Sequence, residues 1–119
     1  MIKIPFNTAS SKNSKRWTGR MLISSKLVLD YEKNTYLIWQ NKKEEFLELI
    51  KGKEKPYRIE LYFIRDSKRH FDYINVSQIV FDLMQKHEWI ENDDMENILP
   101  SFSGYHVDKR ECGVIIKVL

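Results

Sequence analysis

Cysteine is almost absent from this chain. Cys112 stands alone among 119 residues, which excludes an internal disulfide framework and a cysteine zinc site. A half-buried thiol near the end of the chain is the expected state of Cys112, in a reducing cytoplasm. Long apolar runs are absent too. The opening Met1-Ile2-Lys3-Ile4-Pro5-Phe6 has no long apolar core and no small-residue cleavage site, so neither a secretory signal peptide nor a membrane span is visible. No repeat or linker interrupts the sequence, and its length suits one domain with a single core, residues 1–119.

Acid is missing from residues 1–29, where Lys3, Lys12, Lys15, Arg16, Arg20 and Lys26 are all basic. The sign reverses over residues 88–97: Glu88, Glu91, Asp93, Asp94 and Glu96 have no basic residue among them. The formal net charge is only +3, so distribution says more than the total. A basic arm beside an acidic segment suits a protein that grips phosphates and binds a metal, whereas each run alone is equally a solvated face.

Local patterns place the elements. Lys3-Ile4-Pro5-Phe6 reads as a short strand, moved toward a sheet edge or strand end by its proline. Residues 7–19 have the Ser-, Asn- and Lys-rich composition of a loop, with Trp17 near its end. Ser24 or Ser25 caps a helix expected to run to about Lys51, with a break near Asn34 and Gly52 as its stop. Residues 57–63 alternate with period two and form the clearest strand. Val76, Ile79, Val80, Leu83 and Met84 recur at helical spacing, with Asp72 or Asn75 as N-cap. A loop over residues 91–96, a short strand from Ile98 and a closing strand at 113–118 complete the chain. The expected fold class is α+β, a small mixed sheet packed with two main helices.

The chemistry concentrates in residues 68–98, where Asp72 precedes the second helix and Glu91-Asn92-Asp93-Asp94 follows it. Magnesium is held by one or two carboxylates, its shell completed by water or phosphate oxygens. Each acid also has a plain structural role: Asp72 as a helix cap, Asp93 and Asp94 as an exposed turn. The two sets meet only if the loop after Trp89 returns along a helix roughly 20 Å long.

These residues resemble the RusA-type Holliday junction resolvases, a phage-borne family of small dimeric endonucleases. The likeness covers essentially the whole chain. It begins with Ile4-Pro5-Phe6, Ser10-Ser11-Lys12-Asn13 and Gly19-Arg20 leading into Ser24-Ser25-Lys26. Its centre is Arg69-His70-Phe71-Asp72, the amphipathic helix, then Trp89-Ile90-Glu91-Asn92-Asp93-Asp94. The family's first motif aspartate falls on His70 and its functional lysine on Val76, while Asp72 and Asp93 keep carboxylates.

The resemblance implies a homodimeric, metal-dependent endodeoxyribonuclease that resolves four-way junctions or other branched DNA, working in the cytoplasm of a phage host. It implies Asp72, Asp93 and Asp94 as magnesium or manganese ligands, with His70 either a further catalytic ligand or an exposed loop histidine. Lys12, Lys15, Arg16, Arg20, Lys26 and Arg69 are the expected DNA contacts. Trp17 either stacks at a branch point or covers the core rim, and Tyr36 and Trp39 belong either to a dimer seam or to the monomer core. The motif departures carry an alternative, a RusA-like protein that binds branched DNA or a host protein without cutting.

Overall fold

Strand alternation in the middle of the chain organises the molecule. The structure, a computed structural model, describes residues 1–10, 15–17, 22–24 and 26–119, with the backbone alone over 15–17 and 22–24. Its elements are β1 (Ile2–Pro5), β2 (Lys15–Trp17), β3 (Leu22–Ser24), α1 (Lys26–Ile50), β4 (Tyr57–Arg65), α2 (Tyr73–Lys86), β5 (Ile98–Val107) and β6 (Gly113–Val118). The main sheet is mixed, in the order β1-β6-β4-β5. β4 runs antiparallel to β6 and parallel to β5, and α2 supplies the crossover that a parallel neighbour requires.

In β4, Ile59, Leu61 and Phe63 are buried, and their register partners Val114 and Ile116 on β6 and Ile2 and Ile4 on β1 line the same face. Both helices cover that face. Val28, Tyr31, Thr35, Trp39 and Phe46 recur along one side of α1, and Val76, Ile79, Val80, Leu83 and Met84 along one side of α2. All but Thr35 join the strand residues in one continuous apolar cluster, a two-layer α+β arrangement. The opposite sheet face carries Lys3, Arg58, Glu60, Tyr62, Ile115 and Lys117, and among the described residues no helix covers it.

Several expectations are corrected. α1 is continuous through Asn34, because its buried residues on both sides of that position keep one helical phase. Gly52 ends it with a φ of 80°, the left-handed conformation glycine adopts freely. Residues 7–19 are not all loop: β2 lies within them and pairs antiparallel with β3, with Lys15 opposite Ser24. Ser24 therefore ends a strand, and Ser25 lies outside the described residues. β5 is long, ten residues rather than a short strand, because it pairs along the whole of β4. Trp39 belongs to the monomer core, whereas Tyr36 stays on the outer side of α1. Cys112 is half-buried, as its sequence position suggests.

Candidate functional site

The site is built at the C-terminal end of β4, where the chain leaves the sheet and enters α2. Arg65 closes the strand, donating from Nη1 to the Thr8 carbonyl at 2.8 Å, with its guanidinium 4.6 Å from the Phe71 ring centroid. Burial lowers the pKa of this guanidinium below its ordinary value, but the group stays cationic at any working pH. Asp66 N–H donates to Asn7 Oδ1 at 3.1 Å, and Arg69 N–H to Ser67 Oγ at 3.3 Å. These bonds fasten a loop, residues 66–72, whose Lys68, Arg69 and His70 are exposed.

Asp72 stands at the N-cap of α2 with extended backbone, φ −106° and ψ 129°. Its carbonyl accepts the Val76 N–H at 3.2 Å, but its carboxylate makes no capping bond. That carboxylate instead accepts from Asn75 Nδ2 at 3.0 Å and is exposed. The side chain is thus not consumed by the helix-capping role that its position suggests.

The loop after α2 does return along the helix. Trp89 anchors the turn: its N–H bonds to the Met84 carbonyl at 2.8 Å, its indole Nε1 to the Trp39 carbonyl at 2.9 Å, and its ring stacks on Phe46 at 5.2 Å. With Trp89 and Ile90 buried, the following residues run back beside α2, and Gln78 Nε2 reaches Asp93 Oδ2 at 3.4 Å. The same amide donates to Asp82 Oδ1 at 2.7 Å. Gln78 lies six positions beyond Asp72, about 9 Å of helix rise.

The other acids of this segment have separate partners. Asp94 knits the loop: Oδ1 accepts from Glu96 N–H at 3.2 Å and Asn97 Nδ2 at 2.7 Å, and Oδ2 accepts from Asn92 Nδ2 at 3.0 Å. The Asn97 amide first, helped by the Glu96 and Asn97 N–H groups and the Asn92 amide, holds the Asp94 carboxyl below its ordinary range. Glu91 pairs with Lys55 at 3.6 Å and Glu88 with Lys43 at 3.8 Å, on exposed surface. One acidic run in sequence therefore divides among four sets of partners. A groove of about 440 Å³, lined by Lys55, Tyr57, Gln85 and Trp89, opens toward the C-terminal end of α2, away from Asp72.

Among the described residues, no three His, Cys, Asp or Glu side chains gather into one ligand cluster. Asp72 and Asp93 have separate partners, Asn75 and Gln78. Each presents a carboxylate that accepts from one side-chain amide, and magnesium needs only one or two such ligands. Asp94 has both oxygens engaged in the loop. Val76, where the resemblance would put a lysine, is fully buried, so no cation is offered there.

Of the expected DNA contacts, Lys26 is exposed at the first position of α1 and Arg69 on the loop before α2. Lys15 and Arg16 lie on β2; Lys12 and Arg20 lie outside the described residues. A group of aromatic rings beside Asp72, from Phe71, Tyr73, Phe102 and Tyr105, is not apparent from sequence spacing. Phe102 and Tyr105 are three apart, which in a regular strand puts them on opposite faces.

No model of a known protein family matches the chain, and neither does any curated protein.

Proposed function

We propose that this chain is a RusA-like, metal-dependent endodeoxyribonuclease that resolves four-way junctions or other branched DNA as a homodimer. One observation carries the reading: the return of the loop after Trp89, which brings Asp93 alongside the helix that Asp72 begins. The order of acid, helix, tryptophan and acid quoted for the resemblance thus comes with a loop that turns back along α2 as far as Gln78.

Asp72 and Asp93 are the residues that would hold magnesium or manganese. Such an ion supplies an activated water and neutralises charge on the scissile phosphate and leaving oxygen. The Asn75 and Gln78 amides orient the two carboxylates, as hydrogen-bond partners of metal ligands do. Lys68 and Arg69 are exposed on the loop before Asp72, where they bind phosphates and align the backbone without reading sequence. Two cuts in a two-fold junction call for two sites, which an isologous dimer supplies. The outer side of α1 offers a seam in Leu29, Tyr36 and Leu37, all exposed large side chains.

A second reading has its own support. Buried Val76 and the engaged carboxylate of Asp94 leave fewer groups for chemistry than the resemblance implies, which favours a protein that binds branched DNA without cutting it. One assay separates the two, using a synthetic four-way junction with magnesium or manganese. The nuclease reading expects cleavage by the wild type. It also expects Asp72→Asn and Asp93→Asn each to lower the rate by at least about a hundredfold, beyond the 10–100-fold typical for losing an outer partner of a metal ligand. Junction affinity and melting temperature should be kept, since the Asp72 carboxylate caps nothing. Wild-type cutting by either variant removes that residue from the site. Binding without cleavage in both metals establishes the second reading.

A further inference from the structure

We infer that Phe71, Tyr73, Phe102 and Tyr105 form a stacking platform for unpaired bases, set beside Asp72 on the helix side of the β4–β5 edge. This rests on the nucleic-acid reading above and deepens it by naming what the site would recognise: a strand whose bases have left the duplex stack.

The platform exists because of one irregularity. The register runs Leu61 to Phe102 and then Tyr62 to Gly104, so Ser103 is an extra residue in β5. That bulge restores the alternation one residue late and puts Phe102 and Tyr105 on the same face. Both rings then reach Tyr73, at 5.2 Å and 6.4 Å, and Tyr105 meets Phe71 edge to face at 5.1 Å. Behind them the fully buried Phe63 contacts Phe71 at 6.1 Å and Tyr73 at 6.2 Å, so the rings rest on the core. Their outer surface remains in water: Tyr105 is 52 % exposed and Phe102 38 %. Phe71 and Tyr73 flank Asp72 in the chain, which sets the platform next to the candidate cleavage site.

The surrounding charge selects the partner. Asp108 N–H bonds to the Arg65 carbonyl at 2.9 Å, which holds the turn after β5 against the end of β4. Lys68 and Arg69 therefore come from one side of this edge and Lys109 and Arg110 from the other. Among the described residues, none of the four is in an ion pair. Of the nearby acids, Glu111 is taken by Lys3 at 3.0 Å, and Asp108 Oδ1 accepts the Arg110 and Glu111 N–H groups; Asp66 and Asp72 remain. β5 itself contains no acidic or basic residue apart from His106. Exposed rings fringed by unpaired cations match a strand of bases and phosphates, since every base has a π-face and the backbone is anionic. In a duplex those faces are hidden, so the platform contributes to binding only where bases are unpaired.

Fluorescence anisotropy with a labelled oligothymidine and with a blunt-ended two-strand duplex of equal phosphate number tests this. The Phe102→Leu/Tyr105→Leu double variant keeps apolar bulk but removes both rings. It should weaken single-strand binding by about fivefold or more, the lower end of what one base–ring stack contributes. Duplex affinity should stay within about twofold, because a duplex offers no base face to stack. Phe102→Tyr/Tyr105→Phe, which keeps the rings, should bind both probes like the wild type. If the leucine variant does not fold, Tyr105→Leu alone carries the same comparison. Unchanged single-strand affinity, or an equal loss on both probes, overturns the platform and leaves the junction reading standing. The first of these outcomes marks the patch as an aromatic-indifferent apolar surface of the kind a protein strand would use. A wild type that binds neither these probes nor a four-way junction overturns the platform and the nucleic-acid reading together.

Discussion

At the scale of single residues, position and duty are separate properties. Asp72 holds the N-cap place and Asp94 a turn place, yet only the Asp94 carboxylate carries backbone bonds; that of Asp72 is left for other work. His87 shows the same separation at the other end of α2. It is the C-cap residue, its N–H bonds to the Leu83 carbonyl at 2.9 Å, and its ring lies parallel to the Trp39 indole with centroids 6.5 Å apart. Burial, and then the neighbouring Lys86, lowers its pKa below the ordinary value, with Glu32 opposing. Above pH of about 6.5 the imidazole is neutral in folded and unfolded chains alike and carries no pH-dependent cost. Below that value the unfolded chain takes up the proton first, so stability falls as pH drops from about 6.5 through the folded pKa. Urea midpoints measured from pH 7.5 to 5.5 should decline for the wild type and decline less for His87→Asn. Parallel declines would show that His87 contributes nothing to the slope.

At the scale of elements, α1 and the turn after α2 are joined by a chain of polar contacts inside the apolar core. Thr35 Oγ1 donates to the Tyr31 carbonyl at 2.7 Å and accepts from Trp39 Nε1 at 3.0 Å, and the Trp39 carbonyl accepts from Trp89 Nε1 at 2.9 Å. This chain fixes the turn after α2, and with it the direction in which Asp93 is presented. Thr35→Val keeps the side-chain shape but leaves the Trp39 N–H buried without an acceptor. A loss of about 1–3 kcal/mol is expected from that unsatisfied donor. Thr35→Ser, which keeps the hydroxyl, should lose less in the same urea titration. Equal losses would place the effect in packing rather than in the hydrogen bond.

Across the whole molecule, one sheet face is covered by both helices, and part of α1 remains apolar on its outer side. Tyr36 and Leu37 are 46 % and 66 % exposed there, beside Leu29. If this side is the dimer seam, Leu37→Glu sets two like charges near the two-fold axis and should yield folded monomers. Sedimentation velocity at micromolar protein should then show a dimer for the wild type and a monomer for the variant, with the same circular dichroism. A dimeric Leu37→Glu protein would move the seam elsewhere. The described residues contain no helix long and apolar enough to cross a membrane.

Much of this architecture is legible in the sequence alone, and the reason is the range of the forces involved. The period of α2, the alternation of β4, the stop at Gly52 and the closing strand follow from neighbours a few residues apart, so local pattern was enough to read them. The sequence likewise determined that acids lie on both sides of α2 and that residues 1–29 hold cations alone. Other features depend on partners remote in the chain. The length of β5 comes from its pairing with β4, and its bulge, not its composition, brings Phe102 and Tyr105 to one face. The continuity of α1 through Asn34 follows from core packing on both sides of that residue. Whether Asp93 would approach α2 was open in the sequence, because a loop of that composition can leave a helix in any direction. Tertiary structure decided it: Trp89 is anchored to Trp39, fifty positions away, and burial of that ring turns the loop back along the helix.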